Sequence, residues 1–277
     1  MHISDGMRWV LRLGTAITLA FIYVPLIVIA IYAFNDSRSQ AWPIDGLTLD
    51  WFDKAFHNPG VRDALWTSVK AGTGATLIAL ALGTLAALAI SRYRFFGKDT
   101  VSFLIILPIA LPGIVTGMAL NATFTQVLGV DLSLFTVIVG HATFCIVVVF
   151  NNAVARLRRS GTSLEEASMD LGANSLRTFR FVTFPTLRTA LVAGALLAFA
   201  LSFDEIIVTT FTAGGDQTLP IFLYNNIRLL RNRPIVNVVA MLIVLVSIVP
   251  VYLAQRMTRE KTSETVAARP TAMETAP

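Results

Sequence analysis

Long apolar runs alternate with short polar connections along the whole chain. The runs cover about Leu11–Phe34, Trp66–Ser91, Val101–Val127, Leu132–Ala155, Leu187–Phe211 and Ile235–Gln255. A helix rising about 1.5 Å per residue needs about 20 such residues to cross a hydrocarbon layer about 30 Å thick. In lipid, a single run satisfies its backbone N–H and C=O groups only as a helix. The pattern therefore predicts an all-α integral membrane protein with six transmembrane helices. Its composition, 55% apolar and 14% charged with a mean hydropathy of +0.68, excludes an ordinary soluble domain.

Charge adds a direction. The first run follows Arg8 and Arg12, contains Pro25 and shows no small-x-small cleavage pattern before Asn35, so it reads as an uncleaved span, not a signal peptide. With the N-terminus in the cytoplasm, 15 of the 22 Lys and Arg residues fall inside, which favours both termini cytoplasmic. Arg228, Arg231 and Arg233 run against that bias in the last external connection, where a partner protein and lipid headgroups are both open as their contacts. The basic residues sit at membrane boundaries, not in one patch, so the pI of about 9.7 does not indicate nucleic acid. Trp42, Trp51, Phe52 and Trp66 mark the external connection Asn35–Leu65 and its edge, and read as interfacial anchors. The tail from Thr262, rich in Thr, Ala, Glu and Pro, is expected to be disordered.

Within the runs, Gly72, Gly74, Gly83, Gly113, Gly117, Gly140 and Gly194 would let helix backbones approach closely. Pro108 and Pro112 should kink or partly unwind the third run, either for packing or for gating. Asp204 and Glu205 fall inside the fifth run, where a carboxylate costs about 2.5–3.5 kcal/mol. On a continuous helix they would point about 100° apart. One is therefore assigned to a translocation path, with Asp204 preferred, and the other to a partner group. An intersubunit ion pair is the competing reading. His141 and Cys145, four residues apart, make a poor metal site. His141 reads first as an interhelical hydrogen-bonding group and second as a path residue, and Asn121 has the same two readings open. Cys145 is the single cysteine, which rules out an internal disulfide. There is no Walker A sequence, HExxH or Gly-x-Ser-x-Gly. No catalytic constellation, metal site or cofactor site is expected on this chain, so energy must come from another subunit or an ion gradient.

The polar segment Glu166–Pro185, EASMDLGANSLRTFRFVTFP, interrupts the apolar pattern between the fourth and fifth runs. Ser163 and Glu166 have capping-box spacing. The helix they open should stop at Gly172. Asn174 or Ser175 can cap a second short helix. Ala167 and Ser168 are small enough for close approach, and Pro185 should break or kink the chain before the next span.

This spacing resembles the EAA loop of permease subunits in bacterial ABC importers, with departures at Ser168, Val182 and Phe184. The resemblance extends over about Val61–Arg259. SFDEIIVTTFTAG with Thr218-Leu219-Pro220, and LPIALPGIVTGMAL leading into GHATFC, are similar to permeases of the spermidine/putrescine type. It implies a MetI-like type I ABC importer fold. Residues 1–60 would hold an N-terminal helix and external segment, 61–259 the permease core with its loop at about 156–188, and 260–277 a cytoplasmic tail. It implies a second homologous permease subunit, an ATPase subunit dimer carrying ATP and magnesium, a periplasmic solute-binding protein, and a place in the bacterial inner membrane. Coupling to the ATPase would fall on Glu166, Ala167, Ser168, Gly172 and Pro185. A polyamine or related cationic amine is the implied solute. However, Gly113 stands where some polyamine permeases carry an acidic residue, so an opine, an aminobutyrate-like amino acid or another small solute stays open. An ion-coupled secondary transporter is the alternative of a different class. It often shows inverted repeats, none of which is evident here, and it gives the loop no role.

Overall fold

A computed structural model describes residues 4–246, and every regular element named among them is helical. The described residues up to Asn58, with those from Leu223 on, form one compact unit; Pro59–Phe222 form a second.

In the first unit, α1 (Asp5–Ala33) is capped by Ser4, whose hydroxyl accepts from the Met7 N–H. Its 29 residues span about 44 Å. Only Ala33 is buried, so its Leu, Ile and Phe side chains face outward, as a lipid-facing helix requires. The chain then folds back: Asp36 N–H donates to Gly46 O and Thr48 N–H to Phe34 O, leading into α2 (Asp50–Phe56). Trp51 corrects the sequence reading. It is 6% exposed, not an interfacial anchor, because its indole N–H donates to Asn35 O at 2.9 Å. The Lys54 ammonium lies 4.3 Å from the indole ring centroid. Trp42 and Trp66 are exposed, as expected of anchors.

The second unit is built on α3 (Pro59–Arg92), α6 (Leu134–Ser160) and α9 (Phe184–Phe203). Many of their facing positions are small, Ala75, Ala79, Ala142, Cys145 and Ala198 in one cluster and Ala87 and Ala153 in another, where Phe150, Leu157 and Leu187 fill the remaining space. At Gly83 a Cβ would come within 2.9 Å of Ile146 O, so the α3 and α6 backbones meet directly there.

Two predicted spans are broken. The third run divides into α4 (Lys98–Ala110) and α5 (Gly113–Ala122), the latter continued by a π turn at Thr123–Val127. The two arms turn by 103°. Leu111 is extended, and Pro112 O starts a new ladder by accepting from the Val115 and Thr116 N–H groups. With 13 residues, α4 rises about 20 Å, too little to cross the hydrocarbon layer alone. The expected kink is thus a near right angle. The fifth run starts earlier than predicted. α8 (Ser175–Thr178), a π turn at Phe179–Thr183 and α9 make one continuous helix. Pro185 lies inside it and does not break it, because the π turn precedes it and Phe184 N–H reaches Phe179 O instead. The helix ends at Phe203, and after Asp204–Ile206 the chain resumes as α10 (Ile207–Thr212), then α11 (Leu219–Asn226).

Among the described residues, four helices are long and apolar enough to span a membrane, or five if the bent pair counts as one span. A shorter apolar helix, α12 (Arg233–Val246), begins the sixth predicted run. The remainder of that run and the tail lie outside the described residues.

Candidate functional site

The polar segment between α6 and α9 folds as two short helices at a corner. α7 (Ser163–Asp170) has Thr162, not Ser163, at its N-cap, with no side-chain cap. The expected capping box does not form. The first acidic residue of the opening turn, Glu165, is drawn away instead. Its carboxylate takes Arg92 Nε at 2.8 Å and Nη2 at 3.0 Å, and accepts from Thr183 Oγ1 at 3.0 Å. Arg92 Nη2 also donates to Gly161 O. One carboxylate therefore ties α7 to the end of α3 and to the π turn that leads into α9. At its C-terminus α7 closes in a Schellman motif, with Gly172 N–H on Met169 O and Ala173 N–H on Ser168 O. Gly172 adopts φ +86°, the left-handed region where a Cβ is strained. Asn174 caps α8 by accepting from Arg177 N–H, and Ser168 Oγ meets Thr178 Oγ1 at 3.2 Å.

What this corner exposes is informative. Glu166, Ala167 and Gly172 are exposed, and Ser168 is half-buried against α8. Leu171 is 90% and Leu176 74% exposed, and Leu164 and Phe181 are exposed beside them. Pro185, the last of the predicted coupling residues, is exposed on the helix that follows.

The acidic pair sits in the break between α9 and α10, not on a continuous helix. The angular argument for separating the two carboxylates therefore does not apply; the break separates them in another way. Glu205 turns back onto α10 and accepts from the Val208 N–H at 2.9 Å, taking a donor that a continuing helix would have used. Asp204 is exposed, and its carboxylate has no partner among the described residues.

His141 holds the break from α6. It is fully buried, with Nδ1 2.7 Å from Ser202 Oγ and Nε2 2.8 Å from Thr209 Oγ1. Thr209 Oγ1 gives its single hydrogen to Glu205 O at 2.7 Å. Nε2 must then carry the hydrogen in the imidazole–Thr209 bond, and Nδ1 accepts from Ser202. One side chain thus spans both arms of the broken helix. This geometry matches the hydrogen-bonding reading of His141, whose ring nitrogens are both committed. Asn121 behaves alike: its Nδ2 donates to Phe211 O at 2.7 Å and pins α5 to α10. A Cβ at Gly117 would strike the Phe211 ring, so these two short helices pack tightly.

The sequence reading missed Glu165, Arg92, Ser202 and Thr209 as working groups. Arg92 and Glu165 are 73 residues apart, and no local pattern pairs them. The hydroxyls were visible only as polar residues in an apolar run.

Comparison with known proteins fits this architecture. The family described as "Binding-protein-dependent transport system inner membrane component" matches residues 79–263. The putrescine transport system permease protein PotI of Escherichia coli K12 is 32% identical, over 90% of this chain and 92% of its own length. The spermidine/putrescine transport system permease protein PotC of Haemophilus influenzae is 31% identical, over 87% of this chain and 93% of its own. Among solved structures, a bacterial ABC transporter importing the acidic polysaccharide alginate has a similar fold. It superposes with a TM-score of 0.66 at 20% identity, covering 94% of this chain and 99% of that one. The MetNI methionine ABC transporter gives 0.58 at 20% identity, covering 77% and 99%. The expected MetI-like permease fold and multi-pass membrane character hold, and the chain belongs to the family of inner membrane components of binding-protein-dependent transport systems.

Proposed function

We propose that the chain is the permease subunit of an ATP-driven ABC importer, that the α7–α8 corner is its contact with the ATPase, and that its solute is a polyamine or related cationic amine. The observation that carries the reading is the exposed apolar surface of Leu164, Leu171 and Leu176 beside Glu166 and Ala167. The segment is too polar to sit in lipid, and apolar side chains left on such a segment suit a protein partner. Glu165 makes the corner mechanically useful. A push on α7 passes through its carboxylate to both α3 and the helix containing α9, two of the three helices of the core.

ATP and magnesium belong to the ATPase dimer on the cytoplasmic side, with both termini of this chain on that side. A second, homologous permease completes the path, and a periplasmic binding protein delivers the solute. The solute class follows from the named relatives and from Asp204, whose exposed carboxylate, without a partner among the described residues, suits an ammonium group. Such a group must be held loosely enough to leave.

Co-expression with candidate permease, ATPase and binding-protein subunits from the same genome, followed by ATPase assay over a solute panel, tests the reading. Putrescine or spermidine should stimulate hydrolysis several-fold in the presence of the binding protein. Stimulation by an opine or an aminobutyrate-like amino acid instead would retain the importer and replace the solute. Failure of the chain to assemble with any ATPase would overturn the importer reading.

A further inference from the structure

A cavity of about 170 Å³ opens where the last turn of α3, the first turn of α4 and the last turns of α6 meet. Ser91, Arg92, Lys98 and Arg158 line it over an apolar floor of Ile90 and Leu157. No carboxylate lines it. Arg92 has given Nε and Nη2 to Glu165 and Gly161 O, which leaves Nη1 without a partner among the described residues. Lys98 and Arg158 form no ion pair or side-chain hydrogen bond among the described residues. Ser91 Oγ is buried beside the cavity, without a hydrogen-bond partner among the described residues. Two cations with no ion pair among the described residues, Lys98 and Arg158, beside the Glu165-paired Arg92, make this space favourable for an anion. Lys98 also begins α4, whose N-cap Gly97 offers no side chain to the first N–H groups. The acidic residue of that turn, Asp99, is exposed and does not line the cavity.

The neighbouring connection fixes the level of this site. Tyr93, Phe95 and Phe96 are exposed next to Arg94, immediately before the apolar run of α4. Exposed aromatics with basic residues at the edge of an apolar helix belong at the headgroup layer. Phospholipid phosphates lie at that depth, and basic pockets between membrane helices suit anionic headgroups.

We propose that this cavity binds the phosphate of an anionic phospholipid, with Lys98, Arg158 and Arg92 Nη1 holding its oxygens. The apolar floor and aromatic flank favour a lipid over free phosphate, which has no apolar part to place there. The assignment goes beyond the transport reading and does not depend on the solute or on which side of the membrane this end faces.

The test is native mass spectrometry of the intact importer complex exchanged into mixtures of phosphatidylglycerol and phosphatidylcholine. A cation at a membrane surface contributes about 1 kcal/mol to anionic-lipid binding, so Lys98→Gln with Arg158→Gln should weaken phosphatidylglycerol retention about 30-fold. The charge-matched pair Arg38→Gln with Arg62→Gln, both exposed and away from the cavity, should leave it unchanged. The single variant Arg158→Gln, at an exposed helix end, should lose about fivefold and serves where the double variant does not assemble. Equal retention by wild type and these variants overturns the site. An equal loss in the charge-matched control reduces it to bulk charge. Displacement of the lipid by inorganic phosphate at matched concentration would make it a free-phosphate site. Loss of the ATPase subunit with lipid retention intact would make the cations a protein contact; either result overturns the lipid assignment.

Discussion

Arg92 and Glu165 meet through two hydrogen bonds, Nε to Oε2 at 2.8 Å and Nη2 to Oε1 at 3.0 Å, with side chains only 16% and 17% exposed. A bidentate pair so screened from water is stronger than a surface ion pair, and losing one partner leaves the other poorly solvated. Hydrogen bonds to charged groups contribute about 1.5–3 kcal/mol, so Glu165→Gln should accelerate amide exchange in α7 roughly tenfold or more in the assembled complex. Exchange mass spectrometry reads this directly. The swap Arg92→Glu with Glu165→Arg should recover part of the protection, and α7 protection unchanged by Glu165→Gln would remove the pair as the anchor of the corner.

Gly172 carries the left-handed turn that ends α7, and no neighbouring atom crowds it. A substitution there meets conformational strain and no clash, at about 1–2 kcal/mol for an ordinary residue. Asn tolerates this region better than Asp, whose charge would be added beside the proposed docking surface. Gly172→Asp should therefore leave membrane insertion intact while cutting solute-stimulated ATPase activity several-fold, and Gly172→Asn should lie between it and wild type. Wild-type transport by assembled Gly172→Asp complexes would remove the corner from coupling.

Gly83 fails for the opposite reason, since space is the constraint. A Cβ there meets Ile146 O at 2.9 Å and Val149 Cβ at 3.1 Å, both on a helix that cannot easily yield. Gly83→Val should destabilise the unit by about 1–3 kcal/mol, as overpacking does. Thermal unfolding of the purified complex should show a lower midpoint, with Gly14→Val, which has open space around it, as the tolerated comparison.

Some local signals in the sequence were read correctly, and the non-local ones were not. The stop at Gly172 and the cap at Asn174 depend on residues within four positions, and both are present. Pro112 marked the third run as bent, but the angle is set by how α5 packs on α10, through Gly117 against Phe211 and Asn121 onto Phe211 O. The break at Asp204 has no glycine or proline to announce it. It depends on Glu205 capping α10 and on His141 reaching Ser202 and Thr209 from another helix. Pro185 misled in the other direction, because a π turn absorbed it. Ser163 and Glu166 had capping-box spacing, but Thr162 took the N-cap position and Glu165 turned to Arg92, a partner outside any local window.

Topology rests on charge bias and is open to direct labelling. Ser163 is exposed on α7 and Ser37 is half-buried in the segment after α1, while the native Cys145 is fully buried and should stay silent. A cysteine at Ser163 should react with an impermeant maleimide only from the cytoplasmic side, and one at Ser37 only from the periplasmic side. The reverse pattern would place the α7–α8 corner away from any ATPase.

The acidic pair should divide its roles along the break that contains it. Asp204 is exposed and has no partner among the described residues, whereas Glu205 spends its carboxylate on the Val208 N–H at the start of α10. A cationic amine crossing a low-dielectric path needs a negative group that it meets and then leaves. Asp204 can be that group at no cost to the fold. Glu205 cannot leave its N–H without loosening α10, against which α5 is packed. Asp204→Asn keeps shape and removes charge, so it should lower amine uptake about tenfold or more with little change in assembly or thermal midpoint, an effect of about 1.4 kcal/mol. Glu205→Gln keeps an acceptor oxygen for Val208 and should have the milder effect on uptake. Glu205→Ala removes that oxygen and should lower the thermal midpoint, since a lost helix cap costs about 0.5–2 kcal/mol. Uptake and unfolding of the three assembled variants, measured together, separate charge from scaffold. Unchanged uptake in Asp204→Asn with a falling midpoint would show that Asp204 is structural and that the amine meets its counter-charge elsewhere.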